Sequence, residues 1–126
     1  MVSNIWVALL AATTAYASTT LYTTDYDGTV ATLSLSQLSN GSYSLSKLSQ
    51  IRSCGQSPSW LTYDAKASTL YCADEANYPN GSLTSYAVTA STGALAQQAK
   101  VTTIGGGVHT IEYGGKDGNG FLAIAH

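Results

Sequence analysis

Short strand-like segments, closely spaced turn residues and an internal repeat of about fifty residues together predict an all-β chain. Ser, Thr, Tyr, Val and Leu dominate the region after residue 17, with frequent Gly between runs, a composition that suits strands better than helices. The expected strands, in order, are Thr20–Tyr26, Val30–Ser36, Tyr43–Leu48, Ser59–Asp64, Leu70–Asp74, Leu83–Val88, Leu95–Val101, Val108–Tyr113 and Phe121–Ala125. Val30-Ala31-Thr32-Leu33-Ser34-Leu35-Ser36 alternates apolar and polar residues, the period-two mark of a half-buried strand. Tyr26-Asp27-Gly28-Thr29 and Asp117-Gly118-Asn119-Gly120 carry turn chemistry. Asn40-Gly41 and Asn80-Gly81 are turn dipeptides as well.

The repeat organises these strands. Thr20-Leu21-Tyr22-Thr23-Thr24-Asp25-Tyr26 aligns with Thr69-Leu70-Tyr71-Cys72-Ala73-Asp74-Glu75. Each copy passes through a turn into a further strand, from Gly28 in one and Gly81 in the other, and each reaches a second glycine, Gly41 or Gly93, before the next. A third copy begins at Gly120-Phe121-Leu122-Ala123-Ile124-Ala125, and its lead-in Val108–Tyr113 matches Ser59–Asp64. Such a period, filled by about four short strands, is the mark of a β-propeller blade. The first blade falls at about 20–52, the second at about 58–104 and the start of a third at about 108–126. Residues 18–126 thus hold about two blades of four-stranded antiparallel sheet, an incomplete ring. The first copy starts at its second strand, which in a closed ring is completed by the chain's far end, and the third stops after two. An independent small β-sandwich is the alternative reading.

Met1 to Ala17 stands apart. An apolar run from Ile5 to Ala12 precedes Ala15-Tyr16-Ala17, a small-residue cleavage signal, although no Lys or Arg opens the segment. It is read as a secretory leader, with a buried N-terminal helix as the alternative. The apolar run is too short to span a bilayer. Secretion makes Cys54 and Cys72 candidates for one disulfide; the alternative is two unpaired buried thiols on neighbouring strands. It also makes Asn40-Gly41-Ser42 and Asn80-Gly81-Ser82 candidate glycosylation sites at exposed turns. Charged residues are only 10% of the chain and the net charge is −2. Lys47, Arg52, Lys66, Lys100 and Lys116 are scattered, so no basic stripe is expected for nucleic acid or an anionic membrane surface.

Five segments, in register, resemble one family. They are Cys54-Gly55-Gln56-Ser57-Pro58-Ser59-Trp60-Leu61, Leu70-Tyr71-Cys72-Ala73-Asp74-Glu75, Gly81-Ser82-Leu83-Thr84-Ser85-Tyr86, Ser91-Thr92-Gly93-Ala94-Leu95 and Gly106-Gly107-Val108-His109. Their order and spacing are similar to those of the seven-bladed propeller lactonases, the 6-phosphogluconolactonase and carboxy-cis,cis-muconate cyclase type. The Ser/Thr-rich composition and leader look like the secreted fungal branch. The resemblance implies opening or closing of a small-molecule lactone ring, without a metal or other cofactor, by a chain that looks like the N-terminal portion and is expected to lack full activity alone.

The resemblance also implies site residues. His109 stands where the family has the histidine of its Gly-x-x-His block, with Gly107 in place of the usual proline. Imidazole suits proton transfer to and from water or an alkoxide. The alternative for His109 is a structural residue hydrogen-bonded to backbone. Glu75 matches the Glu that ends the Leu-Tyr-x-x-x-Glu block, and can orient a histidine or act as base; the alternative is a solvated strand end. Its neighbour Asp74 is expected to point to the opposite face. His126 lies about one blade beyond Glu75, at an equivalent strand end, where strand ends of neighbouring blades converge on one mouth; as the last residue in the sequence it is alternatively a frayed end. Glu112, three residues after His109, is expected to face solvent.

Other patterns are set aside. Asp25-Tyr26-Asp27-Gly28 lacks the later ligands of a calcium loop and reads as a turn. No His/Cys cluster has zinc spacing, and no Gly-x-Ser-x-Gly elbow is present. Trp60, Tyr63, Tyr71, Tyr86 and Tyr113 are assigned to core and inter-blade contacts, with a sugar-binding platform as the alternative. Two functions from different classes follow. One is a secreted lactonase-type enzyme. The other is a non-catalytic, glycosylated β-repeat protein that binds a glycan or another chain, including copies of itself through open blade edges.

Overall fold

The computed structural model describes residues 18–76, 79–116 and 120–126. The expected leader, residues 1–17, lies outside the described residues, as does the 117–119 part of the last turn. Nine strands follow one another, and no helix occurs among the described residues. β1 (Ser18–Thr24), β2 (Thr29–Gln37) and β3 (Tyr43–Arg52) form a first antiparallel sheet. β4 (Pro58–Asp64), β5 (Thr69–Asp74), β6 (Asn80–Val88) and β7 (Leu95–Ile104) form a second. β8 (His109–Tyr113) and β9 (Phe121–Ala125) form a third. Every strand pairs with its sequence neighbour, so each sheet is a meander, the build of a propeller blade. By the repeat, β1 corresponds to β5 and β9, so the first sheet begins at the second strand of the unit.

All nine expected strands form, and their ends differ in informative ways. β3 runs to Arg52 because its ladder with β2 continues through Val30↔Ile51 and Thr29↔Arg52, beyond a register shift at Thr32/Leu33. Almost all of β3 is exposed, so its sequence lacks an alternation that would mark its length. Asn40-Gly41 does form a turn, with the Gly41 N–H donating to the Leu38 carbonyl at 2.9 Å. Asn80-Gly81 does not. Both residues lie in β6, paired with Ile104 and Thr103. A Cβ at Gly81 would stand 2.5 Å from the Asp74 carbonyl and 2.9 Å from that of Ile104. That glycine serves the close approach of three strands rather than a reversal of the chain.

The core lies between the first and second sheets. Val30, Cys54, Leu70, Cys72 and Tyr86 are buried, with Tyr22, Ile51, Leu61, Val88 and Leu95 packed around them. Leu70 and Cys72 share one face of β5, and their partners Tyr86 and Thr84 share the same face of β6. Burying side chains such as Leu70 and Tyr86 contributes about 2 kcal/mol each. Cys54 comes from the β3–β4 connection, which folds back over this face. It is joined to Cys72 by a disulfide, with the Cα atoms 5.9 Å apart. The Ser82 and Thr84 hydroxyls both donate to the Cys54 carbonyl, at 3.1 and 3.2 Å. The β6–β7 turn docks on the first sheet, where the Tyr22 and Thr32 hydroxyls donate to the Gly93 carbonyl.

The second and third sheets meet along β4 and β8. Thr62 and Thr110 hydroxyls lie 2.6 Å apart, and the Ser59 hydroxyl donates to the Gly107 carbonyl at 2.7 Å. On the two outermost faces apolar side chains are exposed. Leu21 and Leu45 stand on the first sheet; Ile111, Tyr113 and Phe121 stand on the third.

Candidate active site

The segment Gly105–Gly107 enters β8 over the ends of β4 and β5, and Asp74 builds the ground beneath it. Asp74 closes β5 and is only 5% exposed. Its carboxylate accepts from the Ser57 N–H at 2.8 Å, the Ala76 N–H at 3.2 Å and the Ser82 hydroxyl at 3.1 Å. The chain on either side of β4 and β5 is thereby tied to one buried charge, which its three donors satisfy.

Glu75 follows directly. Its backbone N–H donates to the Ser57 carbonyl at 3.0 Å, and its own carbonyl accepts from the Gly106 N–H at 2.6 Å. Its side chain is half-buried, while Asp74 is turned inward, so the adjacent carboxyls take different environments. The Gly105 N–H donates to the Pro79 carbonyl. Gly105 and Gly106 therefore hold their N–H groups against carbonyls, and neither N–H is free for a substrate oxyanion.

His109 opens β8 and is half-buried. Its imidazole packs at a tilt against the Trp60 indole across the boundary between two sheets, ring centroids 4.3 Å apart and planes 47° apart. Among the described residues its ring has no hydrogen-bond partner. The Trp60 side is open, with that residue 40% exposed. His126 reaches the same segment from the other side. Its Nδ1 lies 3.2 Å from the Gly105 carbonyl, which can only accept, so that nitrogen carries the proton. The pairing sharpens its position in the repeat. Trp60 pairs with Ala73 and His109 with Ala125, so His126 stands level with Asp74, one step before the level of Glu75.

The arrangement thus gathers Glu75, Ser59, Gly105–Gly107 and His126 around one stretch of backbone, with Trp60 against His109. No hydrogen bond joins His109 to Glu75 or His126 among the described residues. The family model for the lactonases with a seven-bladed β-propeller matches residues 15–126. The chain belongs to this family. No curated protein and no solved structure matches it.

In this lactonase-family chain β4 and β8 are the first strands of their sheets, and Trp60 and His109 occupy equivalent positions at their heads. Sequence reasoning assigned Trp60 to core and inter-blade contacts, with a sugar-binding platform as the alternative, and did not foresee its contact with His109. The signal for Trp60 was its position on the strand after Gly55-Gln56-Ser57-Pro58-Ser59. Glu112 departs from expectation as well. It is half-buried on the face of β8 turned to the second sheet, and its carboxyl is pushed above the usual range by burial and by the Asp64 charge. Tyr71, in the same contact zone, is raised by burial and by the Glu112 and Asp64 charges. This zone is at the far end of the strands from His109. Among the described residues no group of His, Cys, Asp and Glu could hold a metal ion. No helix among them is long and apolar enough to cross a membrane.

Proposed function

We propose that the chain serves the opening or closing of a lactone ring at the mouth formed by Trp60 and His109. The observation that carries this is His109 at the head of an inner strand in a lactonase-family propeller, its ring without a hydrogen-bond partner among the described residues and packed against an exposed indole. In the hydrolytic direction, imidazole takes a proton from water as the water oxygen bonds to the lactone carbonyl carbon. The ring C–O bond then breaks, and the imidazolium returns the proton to the departing alkoxide. The product is a hydroxy acid. Glu75 is proposed as the carboxylate that orients this proton transfer, and His126 as a group that holds Gly105 and so the approach to His109. The oxyanion needs donors other than Gly105 and Gly106, whose N–H groups are engaged.

Secretion and glycosylation at Asn40 and Asn80 belong to the same proposal. Asn40 suits it in being exposed on a turn, its side-chain oxygen accepting from the Ser42 N–H and hydroxyl. Asn80 is exposed but lies in β6, and the Ser82 hydroxyl of its sequon is held by Cys54 and Asp74. Self-association through the apolar outer faces is the remaining part. Exposed Leu45 on one side, and Ile111 and Phe121 on the other, support it.

The test is lactone hydrolysis by the whole chain, compared with His109→Ala and corrected for spontaneous opening. A loss of about a hundredfold or more in kcat is expected for a proton-transfer group. Equal rates would remove His109 from the reaction.

A further inference from the structure

We propose that Trp60 is the platform on which the substrate's ring lies, and so the residue that selects a saturated ring with a continuous C–H face. The inference rests on the lactone reading for the reaction, but on a separate observation for the binding. A tryptophan that served only to join two blades would be covered by them. This one is 40% exposed although it stands on an inner strand with a third sheet beside it. Among the described residues its indole makes one ring contact, with His109 at 4.3 Å. The 47° between the two planes makes this a tilted contact, two walls of a corner rather than a parallel stack.

The corner is held from both sides. Trp60 pairs with Ala73 next to a register shift between Pro58 and Trp60, where Ser59 is the extra residue. The Ser59 hydroxyl reaches across to the Gly107 carbonyl at 2.7 Å, two residues before His109. Thr62 and Thr110 lock the same two strands one step further along. The two rings therefore keep their mutual position although they come from different sheets, as a site requires of its first contacts.

The chemistry of the two walls differs. An indole face carries negative potential and attracts the weakly positive C–H bonds of a saturated ring, giving a large contact area with few torsions to freeze. An imidazole offers nitrogens for proton transfer. A ring lying with its C–H face on Trp60 is brought beside the His109 ring. A linear polyol lacks a fixed face and gains little from the same wall.

The experiment reads Trp60 directly. The only other tryptophan is Trp6, so the whole chain carrying Trp6→Phe reports Trp60 emission alone. The probes are 1,5-anhydro-D-glucitol, a ring that cannot be hydrolysed, and D-glucitol, its open-chain counterpart. The ring probe is expected to change Trp60 emission saturably, and the open polyol is not. By calorimetry, Trp60→Ala should weaken ring binding about tenfold, and Trp60→Phe should restore most of it. His109→Ala should keep the emission response. An absent response, an equal response to the open polyol, or a Trp60→Ala chain of unchanged fold by circular dichroism that binds the ring as well as the parent would overturn the platform. Each could coexist with lactone hydrolysis, which would leave the reaction standing. Ring binding without hydrolysis would do the reverse, sparing the platform while removing the reaction.

Discussion

The Asp74 carboxylate accepts a hydrogen bond from the Ser57 N–H at 2.8 Å, which ties the end of one strand to the entry of the strand before it. Two further donors, Ala76 N–H and the Ser82 hydroxyl, complete its shell. Asp74→Ala would leave the Ser57 and Ala76 N–H groups short of a partner in a part-buried place, and the Ser82 hydroxyl with the Cys54 carbonyl alone. A loss of about 3 kcal/mol is expected, because orphaned buried donors forfeit their solvation without return. Urea unfolding followed by circular dichroism would measure it. A change within about 0.5 kcal/mol, the size of an ordinary surface substitution, would show that the hub is not what holds these strand ends.

The Cys54–Cys72 bridge pins the β3–β4 connection to the middle of the second sheet. The two residues are 18 apart in sequence, and a closed loop of that size is worth about 3 kcal/mol through the unfolded chain. The double variant Cys54→Ser, Cys72→Ser should lose about that much in denaturant, and a thiol reductant should lower the parent's midpoint to match. A parent insensitive to reductant, with an equally stable double variant, would count against the bridge in solution.

Much of this architecture could be read from residues alone, and the reason is local. The alternation from Val30 to Ser36 marks β2 as a strand but not its core face: Val30 and Thr32 are fully buried, whereas Leu33 and Leu35 lie on the opposite face and are half-buried. The match of Thr20–Tyr26 with Thr69–Glu75 exposes the repeat because each strand pairs antiparallel with the strand that follows it. β3 gives no such help, since nearly every side chain on it is exposed and its length is set by pairing with β2. The Asn80-Gly81 dipeptide misled because its glycine answers a crowding by Asp74 and Ile104 that only the fold creates. The site was half legible. The family pattern points to His109 and Glu75 and the repeat's geometry to His126, and all three fall at one end of the strands. The Trp60 contact with His109 was not legible, because alternation on two separate strands says nothing about which rings meet across sheets. Glu112 was misplaced for a related reason: its face of β8 is solvent until the second sheet covers it.

That burial gives Glu112 a pH signature. Its folded value is raised, so folding favours the protonated carboxyl. The favourable share is present at low pH and is lost as pH rises from the ordinary Glu value through the raised one. Glu112→Gln removes the charge and with it this slope. The variant should therefore be more stable than the parent at neutral pH, and the difference should vanish on acidification below the ordinary Glu range. Thermal midpoints of both chains across that range would show it. A difference that grows toward acid would have the opposite sign and would place an attractive partner beside the carboxylate instead.

Gly28 tests the junction of the first two sheets. It closes the turn whose first carbonyl, Asp25, accepts its N–H at 3.1 Å, and its φ is +90°. A Cβ there would come within 2.2 Å of the Gly55 carbonyl oxygen, a backbone atom that cannot swing aside. The same stretch carries the bond from the Cys54 N–H to the Gly28 carbonyl, so relief of the clash must move the disulfide-bearing connection. Gly28→Ala should cost about 2 kcal/mol or more, combining an unfavourable left-handed φ with the displacement of Gly55. Gly41→Ala is the control: φ is +82° but nothing lies within 4 Å of the added Cβ, so only the backbone term, about 1 kcal/mol, should appear. Equal losses in the two variants, measured by urea unfolding, would show that contact between Gly28 and Gly55 contributes nothing to the inter-sheet junction.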